Sequence, residues 1–524
     1  MKRAFLIALL LAGCGGREPA RTPPAPAPPP RPVALDTAPV PRPAEGAPAK
    51  PPALPPIDRD LAALREAKSL HVLFTFNSTG YFLYRGDTLG YEYELLNAFA
   101  RENGLRLTPV VVRDSGELFN KLNSGEGDVV AAQLAATTDQ SEVALTAGLY
   151  ETTPVVVQRG NENPAAGTTP TVAKSIARED RASGPDMTIK ARLITSPREL
   201  AGSRVHVPRT SPYLRRLVEL RGELSDDIEV VEVDESSDRL IQRLAEGEIA
   251  YTVAAENLAS LKAGEYTNLV VKPAIGPAQP VVWAVRRNAP QLLDALNKFI
   301  AGKRKSGLLA VLYRKYFLDR RGFQRRGGNL TAETGILSPF DEWFREYARI
   351  PGWDWRLVAA QAYQESRFDV KAHSWAGAVG LMQIMPSTAR EMRVNPGNPQ
   401  QSIEGACRYL WKLDDSWKDS VTNEDERLKF ILASYNVGLG HVQDAVRLAR
   451  KHGDDPASWN DVAYWLIRKS KRSVYDDPVV KHGFARGTEP VAYVDQILGR
   501  FENYRQFVGD NPPHAEPMGG DARN

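Results

Sequence analysis

Cysteine is almost missing from this chain. Cys14 and Cys407 are the only two in 524 residues, so a disulfide framework is excluded once Cys14 is engaged elsewhere. Cys407 lies among Ala, Tyr, Leu and Trp and reads as a small buried hydrophobe. Histidine is scarce too: the seven present form no close pair at ligand spacing, so no metal site is expected. There is no glycine loop of the nucleotide-binding kind, and no cofactor is expected. Charge is nearly balanced at a formal +3, which leaves no nucleic-acid footprint and no strong steering field. The apolar run at residues 4–12 is too short to span a bilayer as a finished helix.

What is present divides into zones, and the length calls for two or three domains. Lys2 and Arg3 precede the short apolar run, and Leu11-Ala12-Gly13-Cys14 resembles a bacterial lipobox. The resemblance implies a signal peptide over 1–13, removal before Cys14, acylation of that thiol and a membrane anchor outside the cytoplasm. Gly15 stands where an Asp would favour inner-membrane retention, which points to the periplasmic face of the outer membrane. Residues 14–57 form a Pro/Ala tract that cannot bury enough apolar surface to fold and reads as a tether.

Residues 58–320 alternate strand and helix signals, which predicts α/β units around a largely parallel sheet. The order of elements and Gly90-Tyr91-Glu92-Tyr93-Glu94-Leu95 resemble periplasmic solute-binding proteins of the polar-amino-acid type. The resemblance implies two lobes that close by hinge motion, with crossings expected near residues 195 and 270. It also marks departures. Ser141 stands where the family's carboxylate-clamping Arg is expected, and Ala255 where an Asp meets the ligand ammonium. The loss of both charged anchors disfavours a free α-amino acid as a tight ligand. Residues 161–190 are polar and read as an insertion. The arginine-rich stretch 321–340 reads as a solvated linker.

From 330 to 509 the apolar spacing is helical almost throughout, and a polar tail covers 510–524. Glu365 falls near the end of a predicted helix whose Trp355, Val358, Ala359, Ala362 and Tyr363 form an apolar face. An apolar neighbourhood and the negative end of a helix both disfavour a carboxylate, so Glu365 would keep a proton to donate near neutral pH. A general acid acting on a glycosidic oxygen needs that property.

Three pieces carry a second resemblance: Glu365-Ser366; Gly380-Leu381-Met382-Gln383-Ile384-Met385-Pro386 through Ala389; and Ala433-Ser434-Tyr435-Asn436-Val437-Gly438. They resemble lytic transglycosylases with a goose-lysozyme-like domain. With the lipobox and the solute-binding-like module, the order of parts resembles the membrane-bound lytic murein transglycosylase F family. The fold implied is α/β plus all-α: a two-lobed solute-binding-like module, then a helical lysozyme-like domain. The family's reaction implies Glu365 as acid and then base, giving 1,6-anhydro-muramyl ends on peptidoglycan glycan strands. Ser374, Gln383, Met385, Tyr435, Asn436 and Tyr493 match its substrate-binding positions. The module at 58–320 is read as regulatory, with a muropeptide or stem peptide as its effector.

Other readings stay open. Asp369 is the nearest second carboxylate in the catalytic stretch, and a turn role suits it better. A muramidase using water is the first alternative, and a non-catalytic glycan-binding receptor the second. A nutrient-uptake binding protein is disfavoured by Ser141, Ala255 and the appended enzyme.

Overall fold

The computed structural model describes residues 55–136, 143–160, 192–209, 211–224, 227–326 and 330–509. Cys14, Ser141, most of the Pro/Ala tract, the 161–190 insertion and the 510–524 tail lie outside them. The described part opens with α1 (Leu61–Ala67), whose first N–H is capped by the Asp60 carboxylate at 2.7 Å.

The first lobe holds β1 (Ser69–Phe74), a hairpin of β2 (Phe82–Tyr84) and β3 (Asp87–Leu89), α2 (Tyr91–Glu102), β4 (Arg106–Val111) and α3 (Leu118–Ser124). It continues through β5 (Val129–Ala135), β6 (Val143–Leu145) and β7 (Tyr150–Thr152). The second lobe holds β8 (Pro154–Arg159), β9 (Arg204–Pro208), α4 (Leu214–Glu223), β10 (Glu229–Val233), α5 (Ser237–Glu246), β11 (Tyr251–Ala255), α6 (Glu256–Lys262) and β12 (Leu269–Ala274). The chain returns to the first lobe with β13 (Gln279–Arg286), α7 (Pro290–Lys305) and α8 (Leu308–Tyr313).

Each lobe has its own mixed sheet. The first runs β4-β1-β5-β13-β6, parallel across β4, β1 and β5, with β13 antiparallel to β5, β6 and β7. The second runs β10-β9-β11-β8-β12, with β8 antiparallel to β11 and β12. The first crossing therefore falls at Thr153, not near 195. The valine run of β8 pairs in register with β11 and β12, so it belongs to the second sheet although it precedes the polar insertion.

The stretch 321–340 is not a free linker either. In α9 (Arg320–Arg326), the Gln324 amide donates to the Gly264 carbonyl on the second lobe at 2.8 Å. Leu330 bridges Tyr84, and α10 (Thr331–Thr334) follows. Phe323, Leu330 and Leu337 are buried, so scattered apolar residues overrule the surrounding arginines.

The helical part comprises α11 (Asp341–Tyr347), α12 (Trp355–Ser366), α13 (Pro386–Met392), α14 (Pro399–Trp417) and α15 (Glu424–Val437). It ends with α16 (Leu439–His452), α17 (Trp459–Arg468), α18 (Arg472–Tyr475) and α19 (Thr488–Phe507). Every residue of α12 from Trp355 to Tyr363 is buried, as expected of a helix enclosed on all sides.

The two parts interlock through the β2–β3 hairpin and the end of α19. Leu83 of β2 is buried in the helical core. Gly86, at the hairpin turn, has φ +77°; a Cβ there would lie 2.6 Å from both the Phe368 ring and the Tyr504 hydroxyl, so only glycine fits. Its carbonyl accepts from that hydroxyl at 2.9 Å. Asn503 donates to Thr88 Oγ1 at 2.7 Å and accepts from the Tyr81 hydroxyl. Gln506 satisfies the β4 edge, accepting from Val111 N at 2.6 Å and donating to Pro109 O at 3.0 Å.

Candidate active site

Helix α12 is set by its ends. Asp354 caps it by accepting from Arg356 N at 2.9 Å, and Arg367 closes it in the left-handed region at φ 54°. Ser366 ties the helix end to the following run, its hydroxyl donating to Leu381 O at 2.7 Å. That run folds back through bridges His373–Val379 and Val379–Ile384. Gly380 has φ +79°, and a Cβ on it would meet the Pro396 carbonyl at 2.0 Å, so the tight approach needs glycine. The apolar glycine-rich run is thus a scaffold that fixes where α12 stops.

Glu365, in the last turn of α12, is half-buried. The Tyr493 hydroxyl, from α19, donates to its Oε1 at 2.5 Å. Burial pushes the Glu365 carboxyl up to about 7, and the Tyr493 hydrogen bond opposes that rise. The proton expected from the sequence is therefore held by burial. Burial and the neighbouring Glu365 raise the Tyr493 phenol well above its ordinary value, so it stays a donor. Gln361, one turn earlier on α12, donates to the Tyr493 oxygen at 3.2 Å.

Glu365 lines a cavity of about 270 Å³ with Gln364, Asn436, Glu489, Ala492, Tyr493 and Gln496. Asn436 and Tyr493 are thus brought to the acid. Tyr435 is close behind: its hydroxyl donates to Met382 O at 2.8 Å and its ring packs on Tyr409. Ser374, Gln383 and Met385 are not among the cavity walls. Ser374 Oγ accepts from Ala378 N at 2.9 Å and shapes the turn. Gln383, at φ 46°, donates its amide to Ala372 O at 3.0 Å and Gly380 O at 2.8 Å. Met385 is 42% exposed at the start of α13.

Asp369 has the turn role expected, accepting from Lys371 N at 2.8 Å. The carboxylate that does face the cavity is Glu489, which the sequence reading passed over. The signal was there: Glu489, Tyr493 and Gln496 recur at helical spacing on one face of α19. Of these three, the sequence motifs single out only Tyr493. Cys407 is fully buried, and burial pushes its thiol up to about 12.

The two-lobed module contains a second polar centre. Asp238 at the start of α5 accepts from Ser78 N at 3.4 Å and from the Ser78 hydroxyl, joining second lobe to first. Lys262 Nζ lies 3.6 Å from it. Glu92 is fully buried on α2, and burial pushes it up to about 7. Ala255 ends β11 opposite Pro154.

Two family descriptions match the chain: bacterial extracellular solute-binding proteins, family 3, over residues 75–319, and the transglycosylase SLT domain over 342–457. Among curated relatives, the membrane-bound lytic murein transglycosylase F of Shewanella pealeana is 33% identical over 79% of this chain and 80% of its own. That of Stutzerimonas stutzeri is 31% identical over 84% and 85%. A solved substrate-binding protein of an amino acid ABC transporter is 18% identical at a TM-score of 0.38, covering 48% of this chain and 100% of its own.

Proposed function

This chain belongs to the membrane-bound lytic murein transglycosylase F family, and we propose that Glu365 is its catalytic acid and base. It is a peptidoglycan lytic transglycosylase. The observation that carries the assignment of Glu365 is its half-buried carboxyl, held near 7 beside Tyr493 in a small polar cavity.

In this reading Glu365 protonates the oxygen leaving N-acetylmuramic acid, and the bond from the anomeric carbon to that oxygen breaks. The sugar's own acetamido oxygen supplies electrons to the anomeric carbon, so no second carboxylate is needed. Glu365, now a carboxylate, takes the proton of the same sugar's 6-hydroxyl as that oxygen attacks the anomeric carbon. The product is a 1,6-anhydro end, and water is neither consumed nor released. Asn436 and Tyr435 position the muramyl residue. Ser374 and Gln383 act by holding the turn behind the cleft, and Met385 serves as an exposed apolar surface along it. Glu489, Gln364 and Gln496 supply polar contacts to sugar hydroxyls.

A second reading, a muramidase, draws on Glu489, because a carboxylate across a cavity from an acid can activate water. Mass spectrometry of muropeptides released by the full chain tests the first. Products lighter by one water, absent with Glu365→Gln, support it; unchanged release by that variant removes Glu365.

The enzyme is associated with the cell envelope. We place residues 1–13 as signal peptide, Cys14 as the lipidated residue and 14–57 as tether, anchoring it at the periplasmic face of the outer membrane. Residues 58–320 form the regulatory module, 330–509 the catalytic domain and 510–524 a tail. Its effector would be a muropeptide or stem peptide that competes with the Asp238–Ser78 latch, and α19 would carry the response, since one helix holds both Tyr493 and the module contacts. Titration calorimetry with muropeptides tests this; absence of heat would remove it.

A further inference from the structure

On α12 one polar side chain sits where an apolar one would be expected. Gln361 is fully buried, with Val358, Ala359, Ala360 and Ala362 buried around it in sequence. Its amide donates to the Tyr493 oxygen at 3.2 Å, while its own carbonyl oxygen is buried without a hydrogen-bond partner among the described residues. An unpartnered buried carbonyl costs about 1–3 kcal/mol, so a glutamine that only filled space would be a poor choice here. The arrangement needs another account.

Proton counting supplies one. Tyr493 has a single hydroxyl proton. Because Gln361 donates to the tyrosine oxygen, that proton is left for Glu365 Oε1. Oε1 then serves as the acceptor, the role that suits the carbonyl oxygen of a protonated carboxyl, and this favours the acidic proton on Oε2. If the amide were turned over, its carbonyl would compete with Glu365 for the same proton, and both its N–H groups would be buried without acceptors. We propose that Gln361 is a positioning residue that orients the Tyr493 hydroxyl onto Glu365 Oε1, so that Oε2 alone gives and takes the catalytic proton.

The inference rests on Glu365 being the acid and base, and extends that reading to the oxygen used. Acid and base half-steps then run through one oxygen, with the Tyr493 contact unbroken. Gln361 also strengthens that contact, because a hydroxyl that accepts a hydrogen bond is a better donor. Its removal should weaken the stabilisation of the Glu365 carboxylate.

The test uses the full chain on peptidoglycan with kcat and KM measured across pH. Gln361→Met keeps the length of the side chain and removes the donor; Gln361→Glu replaces the donor with an acceptor. We expect Gln361→Met to lower kcat by about tenfold, the size of one neutral hydrogen bond, with KM unchanged. Its basic limb should move to higher pH. Gln361→Glu should lose more, most of all where its new carboxyl is ionised. Equal loss at every pH with the limb in place, or a fall in melting temperature with wild-type kinetics, would make Gln361 a packing residue and overturn the proposal. Should Gln361→Met not fold, Gln361→Glu decides alone: kcat recovering towards acid pH supports the proposal, and a pH-independent loss refutes it. Glu365→Gln is measured beside them. If it keeps wild-type activity, the acid assignment itself falls; if it is inactive while the Gln361 variants show no shift, only the present inference falls.

Discussion

The proposed acid should also destabilise the fold that holds it, and Glu365→Gln should reveal by how much. Glu365 stands at about 7 against an ordinary 4.5. Below the unfolded value both states hold the proton and nothing is gained or lost. As pH rises through it, the unfolded chain releases its proton while the folded chain keeps one, so stability falls until the folded value is passed. The gap corresponds to about 3.4 kcal/mol at 1.36 kcal/mol per pH unit. The carboxyl is only half-buried, so solvent screening trims this to about 2 kcal/mol. Glutamine retains an oxygen to accept from Tyr493 and carries no charge to desolvate. Glu365→Gln should thus be inactive yet more stable than wild type by about 2 kcal/mol at about pH 8, and by little at about pH 5. For a domain of this size that is a rise of about 4–8 °C in the catalytic domain's melting transition. Circular dichroism melts at the two pH values read it directly. An equal difference at both pH values, or a less stable variant at the higher one, would refute the reasoning.

Tyr493→Phe removes a hydrogen bond to the carboxylate form, worth about 1.5–3 kcal/mol, so the basic limb of kcat should rise by about 1–2 pH units; an unmoved limb would contradict the contact. Gly86→Ala places a methyl 2.6 Å from the Phe368 ring and the Tyr504 hydroxyl in a left-handed turn. It should cost about 3 kcal/mol and expose the hairpin to proteolysis, whereas wild-type resistance would mean the junction yields easily. Asp238→Ala removes the acceptor that joins the lobes at Ser78, so the radius of gyration from small-angle scattering should increase; an unchanged value would mean other contacts hold them together.

Much of the site was legible because it lies in short contiguous motifs. Glu365 and the apolar face beside it come from one helix, and Asn436 from another motif with helical spacing. What the sequence could not disclose depends on distant segments meeting. Gln361 reads as one polar residue in an apolar run until α19 brings Tyr493 beside it, 132 positions away. Glu489 belongs to α19, remote in sequence from Glu365, and reaches the same cavity only through the fold. Ser374 and Gln383 hydrogen-bond within the tight turn that their motif forms, and Met385 is exposed at the start of α13, so the same motif that suggests a sugar contact also has a local structural role. In the two-lobed module, strand existence followed from apolar runs, but the crossing did not, because β8 pairs with strands about 100 residues further on. The arginines of 321–340 masked Phe323, Leu330 and Leu337, which are buried, Leu330 in the core of the first lobe and Leu337 in that of the helical part.

The central claim is that Glu365 serves both half-steps and that the attacking oxygen is the sugar's own. Digesting peptidoglycan with the full chain in water enriched in heavy oxygen, then weighing the new glycan ends, tests it most directly. The account predicts anhydro ends that carry no heavy oxygen and vanish with Glu365→Gln. Reducing ends labelled with one heavy oxygen each would show that water attacks, and would move the catalytic role towards Glu489 and a muramidase.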